Sequence, residues 1–172
     1  GRLSRLVKQC ALIAAIMVAE FAVLEAGLRM FGQSEAGAAF QSLFITESPV
    51  GYRLRPGAAI RYWTSEFDTP LAINAQGVRD DDPIGPKAEG ERRVLILGDS
   101  YVFAVQVPFR DTMGERLEAR LNESSPGTRW RVINGGVQGY GPVEEWLFYR
   151  HVAAKFDPDI VLILVSTAND AI

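Results

Sequence analysis

Ser100, Gly139 and Asn169 each follow a short apolar run of the sequence. Short apolar runs bounded by turn residues predict buried strands, and reactive groups in a parallel sheet lie beyond the carboxyl ends of its strands. Those ends share one edge of the sheet. We therefore expect the three residues to converge, although they are far apart along the chain.

These residue types suit the cleavage of an ester by a serine, with the Ser100 hydroxyl as nucleophile. The reaction passes through a tetrahedral oxyanion, which preorganised hydrogen-bond donors stabilise. The backbone N–H groups of Ser100 and Gly139 and the side-chain amide of Asn169 are the candidate donors. The missing Cβ at Gly139 would let the backbone approach a substrate closely. The sequence thus predicts an acyl-transfer site that needs no metal and no cofactor.

The hydrophobic pattern beyond residue 92 alternates between strand and helix. Helix 112–121 has its apolar residues on one face, and either Asp111 or Thr112 could cap it. A β-α-β-α-β order implies right-handed crossovers and a parallel sheet with helices on both faces, so the predicted fold class is α/β. The predicted strands are residues 94–97, 130–133 and 160–165, all three buried, and the second predicted helix is residues 142–154, with Pro142 in its first turn.

Residues 33–92 carry glycine, proline and acidic clusters with only short apolar stretches. Segments 58–63 and 71–73 are expected to pair as short strands around a turn at residues 65–70. Residues 80–86 and 87–91 are interpreted as an exposed linker, with the acidic turn Asp80 to Asp82 solvated rather than binding a cation.

The amino-terminal segment is the most apolar part of the chain. Residues 10–31 are interrupted only by Glu20, Glu25 and Arg29 and are long enough to cross a hydrocarbon core of about 30 Å. Basic residues precede this segment, so the positive-inside rule places the amino terminus in the cytoplasm and the rest of the chain in the periplasm or outside the cell.

Two features of this segment leave alternatives open. A cleaved signal peptide is the competing interpretation, with Ala36-Gly37-Ala38 as a cleavage site, although signal peptides have shorter apolar cores. Glu20 would lie near the bilayer centre, where a carboxylate either snorkels or is protonated, or faces a partner helix.

Composition excludes several classes of protein. The 172 residues carry a formal net charge of −3, which gives no electrostatic footprint for nucleic acid. The single cysteine, Cys10, excludes an internal disulfide and a cysteine-based zinc site. The single histidine, His151, excludes a multi-histidine metal centre.

Three short blocks resemble those of the SGNH (GDSL-type) hydrolases. Gly98-Asp99-Ser100 is similar to the first block of that family, residues 134–139 to its glycine block and Asn169-Asp170 to its asparagine block. Segments 51–57 and 73–79 also resemble segments that precede the hydrolase block in membrane-anchored members. The resemblance implies a partial flavodoxin-like three-layer sandwich, with Ser100 as nucleophile and Gly139 and Asn169 in the oxyanion hole.

We accordingly divide the chain into three parts. Residues 1–32 form a cytoplasmic basic tip and a transmembrane helix, residues 33–92 an extracytoplasmic connector with a small β element, and residues 93–172 the amino-terminal part of an SGNH-like α/β domain.

The sequence departs from the family pattern in two places. The third block of the family usually begins with glycine, whereas Thr167 stands here. The resemblance also implies a general base in an Asp-x-x-His motif, which the 172 residues lack. His151 does not replace it, because Phe148 stands where that motif requires Asp. We interpret His151 as a surface or helix-packing residue.

Serine without an imidazole is a weak nucleophile, and a three-strand sheet would expose an apolar face and edge. We expect either that the natural chain continues beyond residue 172, as Gly1 in place of an initiator methionine also indicates, or that a partner covers that face. Two functions follow. The first is an anchored extracytoplasmic esterase acting on acyl or acetyl esters. The second is a catalytically silent subunit of a membrane complex, docked through the Glu20 face and the sheet edge.

Overall fold

A computed structural model of the chain describes residues 1–31 and 35–165. The chain divides into two units, Gly1–Ala38 and Ala39–Ile172. The predicted boundaries after residues 32 and 92 stay predictions.

The first unit contains one long helix, α1 (Arg2–Phe31). Its segment Val7–Leu28 has 22 residues with a mean hydropathy of 2.0, and no part of that window is buried against protein. At about 1.5 Å per residue, this length matches a hydrocarbon core of about 30 Å. The predicted amino-terminal helix that is long and apolar enough to span a membrane is therefore confirmed. A short helix, α2 (Glu35–Gln41), follows.

Four short strands come next and form two antiparallel pairs. The strands are β1 (Phe44–Glu47), β2 (Gly51–Leu54), β3 (Ala59–Trp63) and β4 (Asp68–Ala72). The pairing of β3 with β4 confirms the predicted small β element, but the turn is tighter than predicted. It is closed by a 2.8 Å hydrogen bond from the Thr64 N–H to the Phe67 carbonyl.

The prediction that residues 80–91 form an exposed linker is wrong at three positions. Asp80, Ile84 and Glu91 are each less than 10% exposed. Asp80 accepts a hydrogen bond from Arg131 at 3.1 Å. Ile84 lies in the main apolar core. Glu91 is already the first residue of a sheet strand. Asp80 is buried with a partner from a distant part of the chain, whereas Glu91 is buried beside its near neighbour Arg93.

The central sheet has three parallel strands in the order β6-β5-β7. All three predicted strands are present, but β6 continues beyond residue 133 into the segment that resembles the glycine block. In the register, Gly98 at the end of β5 lies beside Gly136 at the end of β6. The strands are β5 (Glu91–Gly98), β6 (Arg129–Gly136) and β7 (Ile160–Ile163).

Helices cover both faces of the sheet, as the sequence predicts. Helix α4 (Met113–Ser124) packs Leu117 and Leu121 on the face formed by Val94, Ile96 and Val132. Helix α5 (Pro142–His151) packs Phe148 on the opposite face, which is formed by Leu95, Leu97 and Ile133 and also contacts the small strands. Thr112 caps α4, because its hydroxyl accepts from the Glu115 N–H at 3.5 Å. The mixed α/β class with a parallel sheet is confirmed.

The prediction of a buried third strand is wrong for β7. Its side chains are 37% to 60% exposed. β7 lies at one edge of the sheet and, among the described strands, pairs only with β5. β6 lies at the other edge but is largely buried because α4 packs against it, whereas no helix in the described part of the chain packs comparably on β7.

Candidate active site around Ser100

Ser100 lies on a sharp turn from the central strand into a helix. β5 ends at Gly98, Asp99 is the N-cap, and the single-turn helix α3 (Ser100–Phe103) follows directly. The Asp99 carboxylate accepts from the Tyr101 N–H at 2.9 Å. The Ala104 N–H in turn donates to the Ser100 carbonyl at 2.8 Å. Ser100 is partly exposed at the carboxyl end of β5, where the sequence predicts a nucleophile.

Two glycines allow α3 to lie directly against the strand ends. A Cβ at Gly98 would collide with the Val102 side chain. A Cβ at Gly136 would lie 2.6 Å from the Val102 carbonyl carbon and closer still to the Phe103 amide nitrogen. Since real Cβ atoms do not approach backbone so closely, this packing requires glycine at position 136, whereas at position 98 the Val102 side chain would have to shift.

Arg79, from the segment before the sheet, holds the backbone that follows Ser100. Its side chain is fully buried. Its Nη1 donates to the carbonyls of Phe103 at 2.7 Å and Ala104 at 2.5 Å, and its Nη2 donates to that of Val107 at 2.6 Å. Burial lowers the pKa of Arg79 to about 10, with Asp81 opposing the shift, so the guanidinium remains a cation at neutral pH.

Asn134 of β6 holds a further carbonyl of the same helix. Its Nδ2 donates to the Val102 carbonyl at 2.8 Å, and its Oδ1 accepts from the Gly136 N–H at 3.0 Å. The side chain is 3% exposed. Asn134 therefore connects the strand that leads to Gly139 with the helix that carries Ser100.

Gly139 lies in the loop after β6, at the same sheet edge as Ser100. The loop is tied to the central strand, because the Val137 N–H donates to the Gly98 carbonyl at 3.1 Å. Gly139 has a φ of 77°, which disfavours side chains, and a Cβ there would lie 3.0 Å from the Tyr52 hydroxyl. The structure thus places Ser100 and Gly139 beyond neighbouring strand ends.

Tyr52 of β2 supports this loop from outside the sheet. Its hydroxyl donates to the Gln138 carbonyl at 2.8 Å. The Tyr140 hydroxyl donates to the Tyr52 carbonyl. Burial, and then the Glu144 carboxylate, raise the pKa of Tyr52. Its phenol therefore stays protonated and keeps donating to the loop at neutral pH.

A cavity of about 480 Å³ opens beside the Gly139 loop. Its walls combine aromatic rings with amide and hydroxyl groups. The ring centroids of Phe40 and Phe44 are 5.3 Å apart, and the two rings meet edge to face. The residues that give the cavity this character are Phe40, Gln41, Phe44, Thr46, Tyr52 and Gln138.

The third predicted oxyanion donor, Asn169, lies outside the described residues, as do Asp170 and Thr167. The meeting of Asn169 with Ser100 and Gly139 therefore stays a prediction.

His151 is placed away from Ser100, as expected for a residue that is not the base. It is the last residue of α5, which begins with Pro142 shortly after the Gly139 loop. The helix has 10 residues and is about 15 Å long, and it runs back along the sheet from the site edge. His151 is exposed there.

A group of carboxylates lies apart from the Ser100 turn. A cavity of about 420 Å³ is lined by charged residues of both signs, among them Asp80, Glu115 and Arg131. Burial, and then the neighbouring carboxylates, raise the pKa of Glu115 to about 7. Within the described part of the chain, no group of three or more His, Cys, Asp or Glu side chains could hold a metal ion.

Sequence reasoning missed the supporting roles of Arg79, Asn134 and Tyr52. The segment that ends in Arg79 was singled out only by its resemblance, and Asn134 only as the start of a glycine block. A charged residue directly after the apolar Val78 was the available signal for Arg79.

No protein-family model matches the chain, and no curated protein matches it. The SGNH resemblance therefore depends on the residues of the three short blocks.

Proposed function

We propose that this chain belongs to a membrane-anchored, extracytoplasmic serine esterase of the SGNH type, with Ser100 as its nucleophile. The observation that carries the proposal is the placement of Ser100 on a tight strand-to-helix turn at the carboxyl end of the central parallel strand. The strand order β6-β5-β7 agrees with the order 2-1-3 that begins a flavodoxin-like sheet, where ligands bind at this edge.

In the proposed reaction, the Ser100 Oγ attacks the carbonyl carbon of an acyl ester while a base removes its proton. The tetrahedral oxyanion accepts hydrogen bonds from the N–H groups of Ser100 and Gly139 and from the Asn169 amide. Collapse of this intermediate breaks the ester bond, and the base returns its proton to the leaving alcohol while the acyl group stays on Ser100. The base then takes a proton from water, which attacks the acyl-enzyme, and returning that proton to Ser100 releases the carboxylic acid and regenerates the hydroxyl.

The proposed reaction also requires a general base. A serine hydroxyl needs a neighbouring imidazole to become a strong nucleophile, and His151 lies at the far end of α5. We propose that an Asp-x-x-His segment supplies this imidazole.

We also propose that α1 anchors the protein with its amino terminus in the cytoplasm. Arg2, Arg5 and Lys8 precede the most apolar part of the helix, and such residues stay on the cytoplasmic side. The Ser100 domain would then act in the periplasm or outside the cell, on acyl or acetyl esters of cell-envelope glycans or lipids. No cofactor enters this chemistry.

Labelling with a fluorophosphonate tests the proposal directly. The native protein, extracted with its membrane helix in a mild detergent, is expected to carry the label on Ser100, as located by peptide mass spectrometry. Ser100→Ala should abolish labelling, whereas Ser124→Ala, which changes an exposed serine at the end of α4, should not. A folded native protein whose Ser100 stays unmodified would contradict the proposal.

The alternative function is a catalytically silent subunit of a larger membrane complex. The exposed apolar side chains of β7 and the carboxylate of Glu20 in the middle of the apolar segment of α1 favour it. In that case gentle solubilisation should recover the protein with stoichiometric partner subunits and an unlabelled Ser100. A lone monomer would contradict this alternative.

A further inference from the structure

We propose that Arg79 is a positioning residue for Ser100, acting through the three backbone carbonyls that it binds. The inference rests on the proposed role of Ser100 as nucleophile. It assigns a function to the segment before the central sheet, because this segment supplies the side chain that fixes the turn carrying Ser100.

The helix that carries Ser100 is too short to be stable without contacts from other parts of the chain. α3 has 4 residues, and a single helical turn fixes many backbone angles for very few hydrogen bonds. Its last carbonyls have no partners within the helix and need them from elsewhere. Arg79 binds the carbonyls of Phe103 and Ala104, and Asn134 binds that of Val102.

A short path of bonds leads from Arg79 to the nucleophile. The guanidinium binds the Ala104 carbonyl, and the Ala104 N–H donates to the Ser100 carbonyl. Ala104 has a φ of 52°. This left-handed conformation is costly for a residue with a Cβ and persists only where its surroundings enforce it. Fixing the backbone at Ala104 therefore fixes the direction in which α3 leaves the strand.

The charge and burial of Arg79 indicate a role beyond filling space. Its acceptors are backbone carbonyls, and its buried Nε has no partner in the described part of the chain. Burying a cation in this way is costly, and an apolar side chain would fill the same volume without that cost. An apolar side chain could not hold three carbonyls in one geometry.

The chain offers a matched control in Arg93. This arginine is also buried, at 2% exposure. Its guanidinium donates to the carbonyls of Phe156 at 2.7 Å and Gly85 at 2.9 Å. It lies near the amino end of β5, whereas the carbonyls held by Arg79 lie beyond the carboxyl end. Both buried arginines thus bind backbone carbonyls, at opposite ends of the strand that leads to Ser100.

The test compares Arg79→Lys with Arg93→Lys in the native protein in mild detergent. Each variant loses the forked donor geometry and keeps a positive charge. We expect both to lower the thermal midpoint, and only Arg79→Lys to slow fluorophosphonate labelling of Ser100, by roughly 10- to 100-fold, since small displacements of a reacting group have effects of that size. Equal labelling rates for Arg79→Lys and wild type, or equal slowing in both variants, would overturn the proposal.

Amide hydrogen exchange separates this inference from the proposed function. A peptide that covers residues 99–104 should exchange faster in Arg79→Lys than in Arg93→Lys, both compared below their thermal midpoints. If wild-type Ser100 is not labelled but this difference appears, the esterase proposal fails and the structural hold of Arg79 on the turn remains. If exchange in this peptide is the same in both variants, the positioning role is overturned whatever the labelling result.

Discussion

The two ends of β5 are held by different sets of contacts. At the amino end, charged side chains pair with each other, with 2.5 Å between Arg93 Nε and Glu91 Oε1 and 2.7 Å between Lys87 Nζ and Asp159 Oδ2. At the carboxyl end, Arg79 and Asn134 bind backbone carbonyls. Arg93 also binds two backbone carbonyls at the amino end, but these belong to Gly85 and Phe156. The carbonyls bound by Arg79 and Asn134 belong to the short helix that carries Ser100 or to the residues just after it. The comparison indicates that the amino end provides stability and the carboxyl end provides geometry at Ser100.

The largest effect is expected from a methyl group at the carboxyl end. In Gly136→Ala the new Cβ would meet the backbone of Val102 and Phe103, which cannot move aside as a flexible side chain can. Overpacking costs about 1–3 kcal/mol and occasionally more. We expect a cost at the upper end here, because the new Cβ meets backbone, and we also expect slower labelling of Ser100. Gly85→Ala is the control, because a Cβ there meets nothing within 4 Å. Thermal unfolding and labelling rates measure both effects, and a fully reactive Gly136→Ala variant would show that α3 need not lie where it does.

A change at the amino end should alter stability alone. Glu91→Gln would leave the buried Arg93 guanidinium without its carboxylate partner. Breaking a buried ion pair from one side costs about 3 kcal/mol. We expect a lower thermal midpoint and an unchanged rate of Ser100 labelling at temperatures where the variant is folded. If labelling slows along with the loss of stability, it is wrong that the amino end of β5 provides stability without affecting the geometry at Ser100.

A smaller effect is expected from the second side chain at the carboxyl end. Asn134→Ala removes one hydrogen bond to the Val102 carbonyl and one from the Gly136 N–H. Losing buried hydrogen-bond partners costs about 2 kcal/mol, and we expect slower labelling of Ser100 as well.

The matched control for this change is Asn122→Ala in α4. Asn122 also binds backbone groups, with its Nδ2 2.9 Å from the Trp130 carbonyl oxygen. However, it is exposed and lies near the amino end of β6, whereas Ser100 and Gly139 lie beyond the carboxyl ends of the strands. Asn122→Ala should leave the labelling rate unchanged. Equal labelling rates in the two variants would show that Asn134 stabilises the fold without positioning α3.

The sequence predicted the elements of the fold better than their boundaries and burial. Apolar runs located β5 and β6 and helical spacing located α4, because these elements repeat one hydrophobic pattern over several residues. α5 was located by Pro142 at its first turn. The same apolar-run reasoning placed β7 correctly but predicted it buried, since a run such as residues 160–165 does not reveal whether a helix covers the strand that it forms.

The site could be predicted only in part, for a related reason. Ser100 and Gly139 follow strand ends and were found from local pattern. Arg79 was missed because its acceptors are backbone carbonyls, which every residue carries and no sequence pattern marks. Asp80 was predicted to be exposed because its partner, Arg131, is separated from it by most of the sheet region. Buried polar side chains whose partners lie far along the chain are the part that local patterns do not contain.

The smallest effect on stability is expected from Glu115, which takes no part in the contacts described at either end of β5. Its pKa in the folded protein is about 7, raised from about 4.5, first by burial and then by Glu118 and Asp80, with Arg131 opposing the shift. Between pH 4.5 and 7 the folded state therefore binds more protons than the unfolded state, and the free energy of unfolding falls as the pH rises through this window.

Glu115→Gln removes the titrating carboxyl and with it this pH-dependent loss of stability. The variant should match wild type at acidic pH and exceed it above pH 7 by on the order of 1 kcal/mol, a value reduced by solvent screening. Glu123→Gln, at an exposed position of the same helix, serves as the control, and denaturant unfolding across this pH range gives the measurement. The rate of Ser100 labelling should be the same in both variants.

A pH-independent difference in stability between Glu115→Gln and wild type would show that this carboxyl does not titrate between pH 4.5 and 7. A changed labelling rate in Glu115→Gln would show that α4 also affects the geometry at Ser100.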